Sequence, residues 1–397
     1  MTRRPRILLL LTSLHGGGAE RVAVHIHNQL AHRFDIRMGL LRAAGPYVEQ
    51  VDMSRVMVAP EGEEHFNYDG PNSAQYSPGK IIGSAIRAPL AFRRMVEEFR
   101  PDVVMSFLKG TNLLVWLALM NMRSHRPRWI AREGNNVVAV INEEAPNPLI
   151  AKLSHNLTAK AYKRADAILA NSTDMATGIV ADLGLDPKKM RMINNPIDIN
   201  HISEASHEVL TGGPNRPFIL TAGRLEYQKG HEILLKAFAK SGVWRTHALV
   251  ILGKGSRLAE LHKLAAELGI GEYVRFIGFV ANPYAWMAKA DLFVLPSRWE
   301  GFPTVAAETL ACGTALLHSD CSFGPRDIVI PGETGELFPV DDIDALAERL
   351  SNLMADPDLR HRYAANGLIH VKRFAIDAMV DRYAQLFEEF AMQPPRT

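Results

Sequence analysis

The chain has 397 residues, 47% apolar and 22% charged, which is long enough for two domains and too apolar for a disordered polymer. The net charge of +2 hides an asymmetry, since residues 1–197 carry +7 and residues 198–397 carry −5. That excess, without basic runs interleaved with aromatics, excludes a nucleic-acid partner but leaves room for an anionic surface on the first half. Cys312 and Cys321 are too few for a disulfide framework and are expected to be buried thiols of a cytoplasmic protein.

The basic start, Arg3 to Arg6, followed by Ile7–Leu11, imitates a signal peptide. The apolar run is too short and meets His15 and three glycines, so a first buried strand is expected. Further strands are predicted at Ile36–Leu41, Val56–Ala59, Asp102–Ser106, Trp129–Ala131, Ala167–Ala170 and Met190–Ile193, with helices over Ala19–His32, Thr111–Met122 and Pro148–Arg164. Residues 61–79 read as a polar loop. The polar stretch 198–217, with breakers at Gly212, Gly213, Pro214 and Pro217, reads as a hinge. Beyond it, strands at Phe218–Thr221, Ala248–Leu252, Val274–Ile277, Leu292–Leu295 and Ala315–Leu317 alternate with helices near 230–240, 256–268, 283–289, 304–311 and 342–354. Short apolar strands separated by helices mean parallel sheets covered on both faces, so the α/β class with two doubly wound domains follows. The expected division is 1–197, 198–375 and a final helical segment, 376–397, crossing back onto the first domain.

Three strand-to-helix turns carry the chemistry. In Glu300-Gly301-Phe302-Pro303-Thr304-Val305-Ala306-Ala307-Glu308, Pro303 suits a first helical turn. The amides of 301–305 then become donors at a positive helix end beyond a strand, where anionic ligands bind. Gly223-Arg224-Leu225 with Lys229-Gly230 places two cations at another such turn, a natural clamp for a diphosphate. Gly16-Gly17-Gly18-Ala19-Glu20-Arg21 follows the first strand and allows close backbone approach to a ligand. Gly253-Lys254-Gly255 lacks the third glycine of a dinucleotide fingerprint, with Leu258 in its place, and NAD is rejected. Asp342-Ile343-Asp344 has the spacing of a metal-binding D-x-D but opens a helix, so it reads as a cap. His25 and His27, two apart, do not share a metal on a helix.

Together these stretches resemble the E-x7-E motif, diphosphate clamp and glycine loop of GT4-family retaining glycosyltransferases, in the bacterial polysaccharide and glycolipid branch. Arg164–Ser172, Asn194–Asp198 and Ala311–Ile328 match as well. The resemblance implies a GT-B fold, two Rossmann-like doubly wound domains facing a central cleft. It implies that Arg224 and Lys229 neutralise the donor diphosphate, aided by Gly223 and by Gly301, Phe302, Pro303 and Thr304 at the helix start. Glu300 would contact the transferred sugar, Glu308 the ribose hydroxyls, and the backbone near Gly278, Phe279 and Val280 the nucleobase. Gly17 and Gly18 would border sugar and acceptor.

The implied reaction is metal-independent transfer from a nucleotide sugar, a UDP-hexose or UDP-N-acetylhexosamine, to a hydroxyl of a glycan or lipid-linked acceptor. No cofactor is implied. A UDP-sugar epimerase of related fold and a catalytically silent sugar-nucleotide-binding protein are the alternatives. The chain departs from the family at Gly134, where many relatives place a histidine, so a protein general base is not identified. Lys80, Arg87 and Arg94 at heptad spacing, with Ile82, Ile86, Leu90, Phe92 and Phe99 beside them, suggest a peripheral contact with anionic membrane at its inner face, and Pro89 is expected to break or shift that helix.

Overall fold

The computed structural model describes residues 3–15, 17–60, 78–120, 122 and 125–393, of which 78–86 are described as backbone alone. Gly16 and most of the predicted polar loop lie outside the described residues, as does the side chain of Lys80. The chain forms two compact units, Met1–Pro196 with Asp377–Thr397 and Ile197–Ile376.

The first unit holds a seven-stranded parallel sheet of order β3-β2-β1-β4-β5-β6-β7. Its strands are β1 Arg6–Leu11, β2 Asp35–Leu40, β3 Val56–Val58, β4 Val103–Phe107, β5 Arg128–Arg132, β6 Ala167–Ala170 and β7 Met190–Met192. Ile7 to Leu11 are buried on both faces, as a central parallel strand demands, and the segment that imitates a leader is the first strand.

The helix Pro78–Phe99 runs through Pro89 without a break, against expectation. Ala88, Ala91, Phe92, Met95, Val96 and Phe99 are buried on one face at helical spacing. Burying each large side chain stabilises by about 1.5–3 kcal/mol, which together outweighs the ~3 kcal/mol cost of an interior proline. Phe99 lies between the guanidinium groups of Arg6 and Arg37, at 4.4 and 4.8 Å. Phe92 and Phe99 are thus core residues and are not available to a membrane, while Leu90 is exposed.

The second unit holds six parallel strands in the order β10-β9-β8-β11-β12-β13. They are β8 Phe218–Ala222, β9 Ala248–Leu252, β10 Val274–Gly278, β11 Leu292–Leu295, β12 Leu316–Ser319 and β13 Gly335–Phe338. Successive strand residues feed opposite faces: Leu220, Phe293 and Leu316 enter one core layer, and Ile219, Val294 and Leu317 enter the other.

The stretch 198–217 is not wholly a linker. Asp198 caps a helix over Ile199–Ser206 by accepting from the His201 amide, and Ile202 and Ala205 bury themselves in the second unit. The edge strand β13 and the helix Pro357–His370 are further elements that the apolar pattern did not mark.

The final helix, Ile376–Ala391, packs on the first unit. Phe387 meets Phe34 edge to face at 5.8 Å, Arg33 pairs with Asp381 and Glu388, and Arg191 pairs with Glu389. The buried Arg132 donates to the Tyr383 hydroxyl at 3.0 Å and to Asn195 Oδ1 at 2.6 Å, which fastens this helix to the end of β5.

Candidate active site

In the second sheet β8 has β9 on one side and β11 on the other, so the winding reverses between β8 and β11. Ligands of open α/β sheets sit beyond the carboxyl ends of the strands at such a reversal. Gly223–Gly230 follows β8 and Ser297–Pro303 follows β11. Residues 71 positions apart therefore meet there: Lys229 Nζ lies 2.6 Å from Glu300 Oε1. Ser297 Oγ donates to the same oxygen at 2.6 Å.

Burial alone would raise the Glu300 carboxyl, but the Lys229 charge and the hydrogen bonds from Lys229 and Ser297 hold it below the ordinary value of 4.5. Arg224 is in a different state. It is exposed, and its Nη2 reaches the neutral Gln228 Oε1 at 3.2 Å. Among the described residues it has no carboxylate partner, so its charge is available to an anion. Gln228 in turn donates to the Trp299 carbonyl at 2.8 Å, tying the two turns together.

Glycines set the closeness of these loops. Gly253 has φ +134°, and a Cβ there would stand 1.9 Å from the Gly223 carbonyl oxygen. At Gly324, with φ +92°, a Cβ would stand 2.6 Å from the Gly301 oxygen. The loop 320–324 thus supports the 300–303 turn, and Ser322 accepts from the Glu300 amide at 3.3 Å.

The helix spans Thr304–Ala311 as expected, with Pro303 as its N-cap rather than in its first turn, and the Pro303 carbonyl accepts from the amides of Ala306 and Ala307. Among the described residues the amides of Gly301, Phe302 and Val305 have no acceptor. The Phe302 ring is buried against Phe374, so this residue contributes backbone rather than side chain to any ligand. Glu308 is buried and accepts from the Tyr284 hydroxyl at 3.1 Å. Phe279 is exposed after the positive-φ Gly278, and Val280 packs on the core. Asp342 accepts from the amides of Asp344 and Ala345, and Asp344 pairs with Lys240; Asp342 caps a helix.

Two buried histidines escaped the sequence. His318 directs Nδ1 at the Ser319 carbonyl, 2.7 Å away, so Nδ1 carries the proton and Nε2 is a bare acceptor without a partner among the described residues. His231 similarly faces the Arg224 carbonyl through Nε2. Burial lowers both to about 4 and keeps them neutral. The Cys321 thiol is raised to about 12 by burial, and Cys312, which was expected to be buried, is only half-buried.

Residues 16–201 match the model of Glycosyltransferase Family 4, and residues 203–369 that of Glycosyl transferases group 1. The chain belongs to the GT4-type glycosyltransferases.

This transferase is 29% identical, over 92% of its own length and 94% of the relative's, to the N-acetylgalactosamine-N,N'-diacetylbacillosaminyl-diphospho-undecaprenol 4-alpha-N-acetylgalactosaminyltransferase of Campylobacter jejuni. It is 28% identical to the lipopolysaccharide core biosynthesis glycosyltransferase LpsE of Rhizobium meliloti, over 93% of this chain and 95% of that one. Its fold is that of HepE from Anabaena, solved in complex with UDP and glucose, with a TM-score of 0.75 at 21% identity over 96% of this chain and 99% of that chain. The architecture is GT-B.

In the first unit of the transferase the winding reverses between β1 and β4. Gly17, at the end of the β1 loop, is the N-cap of the helix Gly18–Leu30, and both glycines are exposed. They belong to a different unit from Arg224, Lys229 and Glu300. Gly134 is half-buried, and a Cβ there would meet Leu108 Cδ2 at 3.2 Å and Arg132 Nη1 at 3.4 Å, so a side chain at this position requires Leu108 to give by a few tenths of an ångström. Its neighbour Glu133 is a further buried group that the sequence did not disclose. Burial raises its carboxyl to about 7, against the pull of hydrogen bonds from Tyr162 and Asn112.

Proposed function

We propose that this transferase moves a sugar from a UDP-sugar to a hydroxyl of a lipid-linked or glycan acceptor, with retention at C1 and without a metal ion. The observation that carries the reading is the charge arrangement at the β8–β11 reversal: an exposed Arg224 without a carboxylate partner among the described residues, a Lys229 held by Glu300, and the amides of Gly301, Phe302 and Val305, which have no acceptor among those residues. Breaking the bond between C1 and the phosphate oxygen leaves a nucleoside diphosphate, and stabilising its growing charge is the main demand on the site. Arg224 offers a planar fork of donors and Lys229 retains two N–H groups beyond the one on Glu300. These cations supply what a divalent ion otherwise would.

Glu300, kept ionised, is suited to a sugar hydroxyl and to the positive charge that develops at C1. Glu308 beside the Tyr284 hydroxyl is suited to the ribose. Gly134 supplies no side-chain base, so the leaving phosphate oxygen takes the acceptor proton on the same face of the sugar, which gives retention. UDP is favoured because HepE was solved with it and with UDP-glucose. The lipid-linked acceptor follows the Campylobacter relative, whose substrate is a diphospho-undecaprenol.

The test is a panel of UDP-sugars with a polyprenyl-diphosphate glycan, read by NMR for the anomeric configuration of the product and repeated in EDTA. An inverted product, or activity abolished by EDTA and restored by Mg²⁺ or Mn²⁺, overturns the mechanism. UDP-sugar isomerised without acceptor overturns the transferase reading.

A further inference from the structure

The helix Pro148–Arg164 has no acidic residue in its 17 positions. At 100° per residue its solvent side collects Leu149, Leu153, Leu157, Lys152, Lys160, Lys163 and Arg164 within one face, with Ile150 at the border. The apolar members are open to water rather than packed: Leu149 is 77% exposed, Leu153 58%, Ile150 44% and Leu157 41%. The opposite side, Thr158, Ala161 and Tyr162, is buried in the first unit. All four cations are exposed and form no ion pair among the described residues.

Order along the face matters too. The aliphatic residues lie between positions 149 and 157, and three of the cations follow them between 160 and 164, two of these in the last turn. The adjacent helix Leu108–Leu119 exposes Leu117, followed by Met120, and a cavity of about 580 Å³ opens at the start of the face beside Val138, Ile141, Pro148 and Lys152. The nearby acid Glu144 is neutralised by Lys109.

We infer that the helix Pro148–Arg164 is the face on which this protein rests on an anionic lipid bilayer. Exposed leucines enter the boundary between headgroups and acyl chains while the lysines and Arg164 bind lipid phosphates, the arrangement of an interfacial helix. Charge selects this occupant. A protein partner or a second copy of this basic face would need an acidic complement, and this face has none to offer a copy of itself. The helix Pro78–Phe99 is the weaker candidate, because it buries Phe92 and Phe99 and exposes Glu97 and Glu98. The inference rests on the lipid-linked acceptor reading and gives it a place on the molecule.

The test is cosedimentation of the full chain with vesicles of phosphatidylcholine alone or mixed with phosphatidylglycerol, at low and high salt. The expected result is binding to the mixed vesicles at low salt only. Lys160→Gln and Lys163→Gln should each weaken it about five-fold. The double change Leu153→Gln with Leu157→Gln should weaken it about ten-fold or more. Arg87→Gln should leave it unchanged. Vesicle binding needs neither donor nor acceptor, so it succeeds or fails independently of transfer; turnover on a short-chain soluble acceptor reports transfer separately and should be unaltered in these variants. Wild-type protein that ignores mixed vesicles at low salt, variants that bind like wild type, or a dimer dispersed by the leucine changes would each overturn the inference.

Discussion

The two units share a topology, yet their strand-order reversals are built from opposite materials. At the β8–β11 reversal a buried ion pair, an exposed arginine and two neutral histidines crowd together. Around the β1–β4 reversal the buried polar residues are neutral: Thr12, Ser13, Ser106, Thr111 and Asn112. The nearest buried carboxyl, Glu133, is held by Tyr162 and Asn112 rather than by a cation. One Rossmann-like frame therefore supplies fixed charge and the other supplies walls. The contrast extends to the two buried glutamates, since Glu300 is pushed below 4.5 and Glu133 up to about 7.

The largest effect should come from the charged reversal. Arg224→Ala and Lys229→Ala should each lower turnover by ~10²–10³, measured by UDP release. Lys229→Ala should in addition cost about 3–5 kcal/mol in chemical denaturation, because it leaves Glu300 buried without its cation. Near-normal turnover in both variants would erase the functional difference between the two reversals.

Next in size, Gly253→Ala should destabilise the protein by about 2–4 kcal/mol, since it combines an unfavourable φ with a clash against the Gly223 carbonyl. A thermal midpoint within a degree of wild type would mean that the two loops are not locked together.

The glutamates offer a sharper test. A carboxyl raised to about 7 means that the folded state holds a proton that the unfolded state has released above 4.5, so Glu133 costs stability progressively as pH rises from about 4.5 to 7. Glu133→Gln should flatten that decline, with an effect on the order of 1–3 kcal/mol at pH 8. Glu300 has the opposite sign: its lowered value contributes stability above 4.5 that is lost as pH falls below it. Equal pH slopes in wild type and Glu133→Gln would remove the contrast.

The smallest effect belongs outside both reversals. Asp342→Ala should cost about 1 kcal/mol of stability through the lost cap and leave turnover intact. Turnover that fell with it and recovered with Mg²⁺ would move the aspartate from cap to metal ligand.

What could be seen in advance follows from how local each signal is. β1, β9 and β11 announce themselves as short apolar runs because both faces of each are buried. β13, with the sequence Gly-Glu-Leu-Phe, lies at a sheet edge with only its end residues buried, so its pattern is weak. Ile199–Ser206 hid in a polar stretch because two side chains suffice to anchor it. The proline in Pro78–Phe99 misled because propensity is local, whereas the burial that overrides it is not. At the site, Arg224, Lys229, Glu300 and Glu308 stood in recognisable spacings. Glu133 and His318 did not, because their shifted acidities are made by burial under elements distant in sequence. The basic and apolar residues of Pro148–Arg164 were in plain view, but which of them face water is decided by packing.

The final helix gives the chain an unusual order of assembly. The second unit is an insertion whose ends lie side by side: the Ile376 amide donates to the Ile197 carbonyl at 2.9 Å, and the Ile197 amide to that of Phe374. The first unit, by contrast, is interrupted, and the side chains that pack on Phe34 and accept from Arg132 Nε come from the last helix. At ~5–20 residues per second a ribosome takes on the order of ten seconds or more to make the insertion. During that time the first-made part of the protein waits, incomplete, for its last-made helix, while the part begun second can already close upon itself.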